Sequence, residues 1–438
     1  MTENSADVQK QTDLGREVVP ETPSAGKWVE GMSRAFTSLQ QRNFRLFWSG
    51  QIVSVLGSWM QSIGQAWLVL ELTHNAWQLS FVGALQALPI LLFSLFGGVF
   101  ADRWPKRHVL LITKSAAMLQ AFLLWLLIYT GSVQVWHIYV LALLLGLTNS
   151  LDFPTNRAFV VEMVGREDLP NAIALNSSVT TLARIIGPSL GGIIIAASGV
   201  TMLFLLNAVS FLAVIIALLL MRSSELHAQV RPDSEKRQST WQSLGEGWSY
   251  VRITPVVLLL IMVVGLALLF GSNFNVILPL FATNVLNEGA PGYGFLSAAF
   301  GVGAFLSTLW LAWGNQKASI RRVLIIMLVF GGLEIAFAGS RIYLLSLALI
   351  ACVGFVETAF ASQSMATLQA LPPDHLRGRV MSIQVLLFDG SLPLGYVLTG
   401  WLAGLYGAPI ALFVCALLVL AVTLVGWLWQ RSLEISKR

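Results

Sequence analysis

Several ionisable side chains sit inside long apolar stretches of this sequence. They are Asp152, Arg157, Arg184, Glu357 and Asp389. A charge surrounded by lipid is costly, so each such residue is expected to serve a function. A carboxylate removed from water favours its neutral form and exchanges protons where an exposed one would not. Asp152, Glu357 and Asp389 are therefore candidates for binding and releasing protons, and Arg157 and Arg184 are candidates for their charge partners. The alternative is a static buried ion pair, for example Asp152 with Arg184. Glu334, nearer the end of its apolar run, is expected to pair with Arg341.

Other chemistry is not signalled. There is no glycine-rich phosphate loop ending in Lys-Ser/Thr, so direct use of ATP is not expected. The five histidines are scattered and show no metal-ligand spacing. Cys352 and Cys415 lie in apolar runs and read as small packing residues. No metal, no cofactor and no enzymatic activity are expected.

The charges need elements to hold them at depth. Of 438 residues, 56% are hydrophobic and 11% charged, against about 25% charged in soluble domains. Most of the chain must therefore face lipid. The polar N-terminus lacks a cleavable signal pattern, so the first apolar helix is expected to persist as a span. A membrane helix needs about 20 apolar residues. Twelve stretches qualify: 46–71, 77–101, 108–130, 136–161, 171–197, 201–221, 254–283, 293–314, 321–339, 342–370, 379–404 and 408–430. The expected fold is all-α and integral to the membrane, with twelve transmembrane helices in two pseudo-symmetric halves. Residues 1–45 form a tail, 46–221 the first six-helix half, 222–253 a linker, 254–430 the second half and 431–438 a second tail.

Basic residues alternate by loop. The second loop carries Arg103, Lys106 and Arg107, the fourth Arg166, the eighth Lys317, Arg321 and Arg322, and the tenth Arg377 and Arg379. The odd loops carry only Arg341. The positive-inside rule then places both termini, the linker and every even loop in the cytoplasm. The net charge of +5 follows from this placement, without nucleic acid as a partner. Within the linker, Trp241, Leu244, Trp248 and Val251 recur at helical spacing and predict an amphipathic helix on the bilayer surface. Residues 31–46, with Met32, Phe36, Leu39 and Leu46, read the same way. Gly187 and Gly192 of span five recur as Gly395 and Gly400 of span eleven, which suits two repeats facing a central cavity. Counting 1.5 Å per residue from the cytoplasmic ends puts Asp152 about 20 Å and Asp389 about 15 Å into the membrane.

Span two ends in Gly98, Asp102, Arg103, Pro105, Lys106 and Arg107. This resembles the signature loop of the major facilitator superfamily, with Pro105 where a glycine is usual. The resemblance implies a gating role for Gly98, Asp102, Arg103, Lys106 and Arg107. Asp102 suits the positive end of a neighbouring helix, and span eleven is the expected partner. Ala183, Gly187, Pro188, Gly191 and Gly192 resemble the glycine–proline motif of the superfamily's exporters, with Ala183 where a glycine is usual. Pro188 removes a backbone bond and the glycines allow close packing, which suits a bending helix. Residues 149–161, Leu278–Ala282 with Gly292-Tyr293-Gly294, and Leu376–Val380 are similar to a subgroup of enterobactin exporters and macrolide-type efflux pumps. The chain departs from drug/proton antiporters in lacking any charge over 138–148, so their proton relay is not copied here.

The resemblance implies an alternating-access exporter of a siderophore or an amphiphilic drug-like compound. It is expected in the bacterial cytoplasmic membrane, driven by proton antiport and acting as a monomer. Gln61, Gln65, Trp67, Asn273, Asn275 and Gln363 are the expected cavity-lining residues, with Trp59, Met60 and Phe388 beside them. An importer, a membrane-integrated enzyme and a non-transporting sensor are the alternatives.

Overall fold

The computed structural model describes residues 37–227, 240–313 and 318–435; within them the side chains of 94–103, 240–244, 374, 375 and 389 lie outside the description. Among the described residues the fold is built from helices alone. The first half comprises α1 (Arg42–Thr73), α2 (Ala76–Arg103), α3 (Lys106–Tyr129), α4 (Val135–Val164), α5 (Leu169–Ser198) and α6 (Thr201–Leu220). The linker contributes α7 (Thr240–Ile253). The second half comprises α8 (Pro255–Gly271), α9 (Phe274–Asn284), α10 (Ala290–Trp313), α11 (Ile320–Gly339), α12 (Tyr343–Ala370), α13 (Asp374–Tyr406) and α14 (Ala408–Ile435).

Eleven helical runs among the described residues are long and apolar enough to cross a membrane, with α8 and α9 counted as one. The twelfth crossing is α1, whose 32 residues carry Gln51, Ser54, Ser58, Gln61, Ser62 and Gln65 along its length. Those polar groups lower its hydropathy, and they face the interior cavity described below. Span seven is interrupted at Ser272 and Asn273, where a single helix over 254–283 is expected from sequence. The Asn273 amide donates to the carbonyls of Leu269 and Phe270 at 2.9 and 3.2 Å, so the side chain itself satisfies backbone groups freed at the break.

Packing repeats between the halves. In the first half α1 packs on α6, α2 on α4 and α3 on α6; in the second α8 packs on α14, α10 on α12 and α11 on α14. The halves meet through two further pairings, α5 on α10 and α13 on α2, which correspond under the same repeat. Glycine makes both seams possible. A Cβ at Gly192 would stand 2.6 Å from the Ala290 carbonyl oxygen, and one at Gly400 would fall onto the Ser80 hydroxyl. These are the two positions that correspond in the sequence repeat.

The linker helix is more than a bilayer-surface helix. Gly247 lies against the Arg379 backbone, Glu246 pairs with Arg379, and Val251 is buried, so α7 docks on α13. Trp248 stays exposed, while the side chains of Trp241 and Leu244 lie outside the described residues. The stretch 31–46 divides differently from expectation. Thr37–Gln40 is a single tight turn whose Leu39 packs on the first-half core, and α1 begins at Arg42. Met32 and Phe36 lie outside the described residues.

Candidate functional site

A cavity of about 1160 Å³ lies between the halves. That exceeds the usual 300–1,000 Å³ of small-molecule pockets and admits a bulky solute. Most of its wall comes from the first half. It extends from Val161 and Leu169, at the linker-side ends of α4 and α5, to Leu79 of α2 and Tyr293 of α10. Four close approaches between the halves lie toward the other end: Ser80 to Gly400, Gly83 to Tyr396, Gly192 to Ala290, and Gly294 to the Pro188 carbonyl. The cavity is thus closed on the far side and reaches the side that carries the linker.

Amides and one ion pair supply its polarity. Gln61 is 3% exposed and lies at the centre of a buried chain. It accepts from Asn207 at 2.7 Å and donates to Gln120 at 3.0 Å. Asp152 is held by Lys114 Nζ at 2.8 Å and by the Thr113 hydroxyl at 2.7 Å. Both charged side chains are less than a tenth exposed and both line the cavity. Asp152 therefore pairs with Lys114 of α3, not with Arg184. The Arg184 guanidinium instead stacks at 4.9 Å from the Phe300 ring and 5.8 Å from the Trp59 ring, an arrangement that joins α5 to α10 and α1. Arg157 is exposed on the cavity wall and has no partner among the described residues.

The expected wall residues separate. Gln61, Gln65, Asn275 and Trp59 line the cavity, and Asn275 donates to the Tyr396 hydroxyl at 3.0 Å. Trp67, Met60 and Phe388 do not; they pack in the hydrophobic core. Asn273 and Gln363 are buried away from the wall. The phase of α1 explains Trp67: Gln61 and Gln65 are one turn apart, whereas Trp67 lies about 200° round from Gln65.

Glu357 is half-buried on α12, outside the cavity wall, and accepts a hydrogen bond from Ser272 at the break in span seven. Glu334 does not pair with Arg341. The Arg341 guanidinium donates to the carbonyls of Ala338 and Ser340 at 2.9 and 2.8 Å. Asp389 falls within α13, and its side chain lies outside the described residues.

In the signature loop, Gly98, Asp102 and Arg103 complete α2, with side chains outside the description. Lys106 binds Glu162 of α4 at 2.5 Å. Arg107 donates to the carbonyls of Leu218 and Leu219 at 2.7 and 3.0 Å and so caps α6. Its charge also suits the negative end of that helix. Both basic residues hold the first half together. In α5, Gly187 and Gly191 lie against α1 while Gly192 lies against α10. Pro188 is buried inside an unbroken helix.

Lys114, Gln120, Asn207 and Tyr396 were not among the residues expected from sequence. Lys114 is a lone lysine within the apolar run of span three, so the rule that flagged Asp152 applies to it equally. Asn207 is likewise an amide inside a strongly apolar span.

Comparison with known proteins agrees with this architecture. The model of the family described as transmembrane secretion effector matches residues 33–434. The staphyloferrin A transporter of Staphylococcus aureus is 23% identical over 394 residues, covering 90% of this chain and 97% of that protein. The multidrug efflux pump Tap of Mycolicibacterium fortuitum is 28% identical over 393 residues, covering 87% and 95%. The enterobactin exporter EntS of Escherichia coli is 25% identical over 340 residues, covering 77% and 79%. In fold, the crystal structure of the nucleoside transporter NupG superposes with a TM-score of 0.71 at 13% identity, covering 89% of this chain and 98% of that one. The chain belongs to the transmembrane secretion effector family of major facilitator superfamily transporters.

Proposed function

We propose that this protein exports a siderophore or an amphiphilic drug-like molecule across the cytoplasmic membrane by alternating access, driven by proton antiport. The observation that carries this reading is the cavity. It is large, lined by amides and an ion pair, sealed at one end by glycine seams and extended to the linker side at the other. The loop charges argue that the linker side is cytoplasmic. A solute entering from the cytoplasm would meet Arg157, then the Asp152–Lys114 pair and the Gln61 chain. Closure of the linker side, with separation of the α5–α10 and α2–α13 seams, would release it outside. The relatives named as exporter and efflux pump support that direction. The cavity is enclosed within one chain, which supports action as a monomer.

Asp102 at the end of α2 is proposed to act in switching, and Asp152, Glu357 and Asp389 in proton coupling. The test is transport of an enterobactin-type siderophore and of a lipophilic dye into inverted vesicles with an imposed pH gradient. Accumulation above vesicles lacking the protein is expected for at least one. Accumulation only in right-side-out vesicles would mean import and would overturn the reading.

A further inference from the structure

The second half contains a polar cluster centred behind the cavity wall, which it meets at Tyr396. Its centre is Glu334 on α11, which is 0% exposed. Neither of its carboxylate oxygens has a hydrogen-bond partner, and no cation pairs with it among the described residues. Arg341, the nearest basic residue along the chain, is bound to carbonyls at the helix end. Glu357 of α12 lies within electrostatic range of Glu334. Next to the Ser272–Glu357 hydrogen bond, Asn273 has its amide nitrogen engaged by backbone carbonyls, and its buried Oδ1 has no donor. The other titratable groups facing the cluster are Cys415 of α14, which contacts Thr399 at 3.8 Å, and Tyr396 of α13. Arg184 of α5 acts on Glu357 from the opposite half.

The cluster therefore has more acceptors than donors. An ionised Glu334, away from water, without a cation among the described residues and within electrostatic range of a second carboxylate, is an arrangement that burial strongly opposes. One hydrogen ion on the pair removes both the repulsion and the uncompensated buried charge of Glu334. We propose that Glu334 and Glu357 form a single proton-binding site, separate from the substrate cavity. That this site drives transport rests on the antiport reading above.

A route from site to seam is present. Losing the proton leaves a negative charge on the pair, and Arg184, lying across Phe300 at the α5–α10 seam, is the cation that meets it. The deprotonated pair draws Arg184 inward and holds the seam closed; protonation from outside relaxes that hold. Tyr396, bonded to Asn275 on the cavity wall, gives the site a second connection to bound substrate.

The test uses the full-length protein in liposomes. Infrared difference spectra over a pH titration report protonated carboxyl groups directly. Wild type is expected to show a carboxyl signal that Glu334→Gln removes and whose titration Glu357→Gln shifts. Glu334→Met serves as a second variant, and thermal unfolding checks that each is folded. A signal unchanged in Glu334→Gln, or a titration unmoved by Glu357→Gln, overturns the shared site. In transport, Glu334→Gln is expected to lose gradient-driven accumulation and retain counterflow exchange. Full gradient-driven accumulation by Glu334→Gln contradicts the proposal. If wild type shows the expected spectra but its transport ignores the pH gradient, the paired site stands and the antiport reading fails.

Discussion

Removing Lys114 should destabilise the protein more than any single loop charge. Lys114 and Asp152 are 9% and 8% exposed and 2.8 Å apart, so neither is screened as a surface pair would be. Lys114→Met leaves Asp152 with only the Thr113 hydroxyl. Leaving one charge of a buried pair uncompensated costs about 3–5 kcal/mol. The cavity beside the pair lets water approach, which places the expected loss near the lower end, about 3 kcal/mol. Adding Asp152→Asn removes the stranded charge while keeping an acceptor for Thr113, which also lies 3.2 Å from the Leu110 carbonyl. The double variant should then recover much of the loss, giving a coupling energy of about 2 kcal/mol. Reversible denaturation in detergent micelles, read by tryptophan fluorescence for wild type, both single variants and the double, completes the cycle. A Lys114→Met variant within about 0.5 kcal/mol of wild type would refute the reasoning. So would a double variant whose loss equals the sum of the two singles.

Three further outcomes are expected. Gly192→Ala places a methyl 2.6 Å from the Ala290 carbonyl oxygen; overpacking of about 1–3 kcal/mol should open the far-side seam. Cysteine accessibility near Gly294 should rise, and unchanged labelling would count against that seam. Asp102→Asn should slow transport without reducing the amount of protein inserted, and normal rates in proteoliposomes at matched protein would remove the switching role. Arg107→Gln should lower stability by about 1–2 kcal/mol through loss of the α6 cap, seen as a lower unfolding temperature with membrane insertion preserved.

Eleven of the crossings were legible because each apolar run exceeds what a soluble helix would carry, and α1 was legible from its length despite the polar side chains along it. The half-to-half seams were partly legible too, since Gly192 and Gly400 stand at matching places in the repeat. The break at Ser272–Asn273 was hidden, because a hydropathy window runs through two polar residues without registering lost backbone bonds. Asp152 stood out as a carboxylate in a span, but its partner did not. Lys114 is distant in sequence, and only the packing of α3 on α4 brings the two together. Trp67, Asn273 and Gln363 were chosen by residue type; helix phase and backbone capping then turned them from the cavity. Glu334 shows the reverse case, where proximity to Arg341 along the chain predicted a pair that the geometry does not form.

Alternation of the cavity between the two sides is the central claim, and paired spin-label distances test it most directly. One pair goes on the linker side, at Glu167 and Ala370; the other goes on the far side, at Ser132 and Tyr406. All four residues are exposed, one of each pair in either half. Distance distributions are recorded in lipid nanodiscs with and without a transported solute at two pH values. Reciprocal change is predicted: conditions that shorten the linker-side distance lengthen the far-side one. Two distances that stay fixed, or that lengthen together, would contradict alternating access through this cavity.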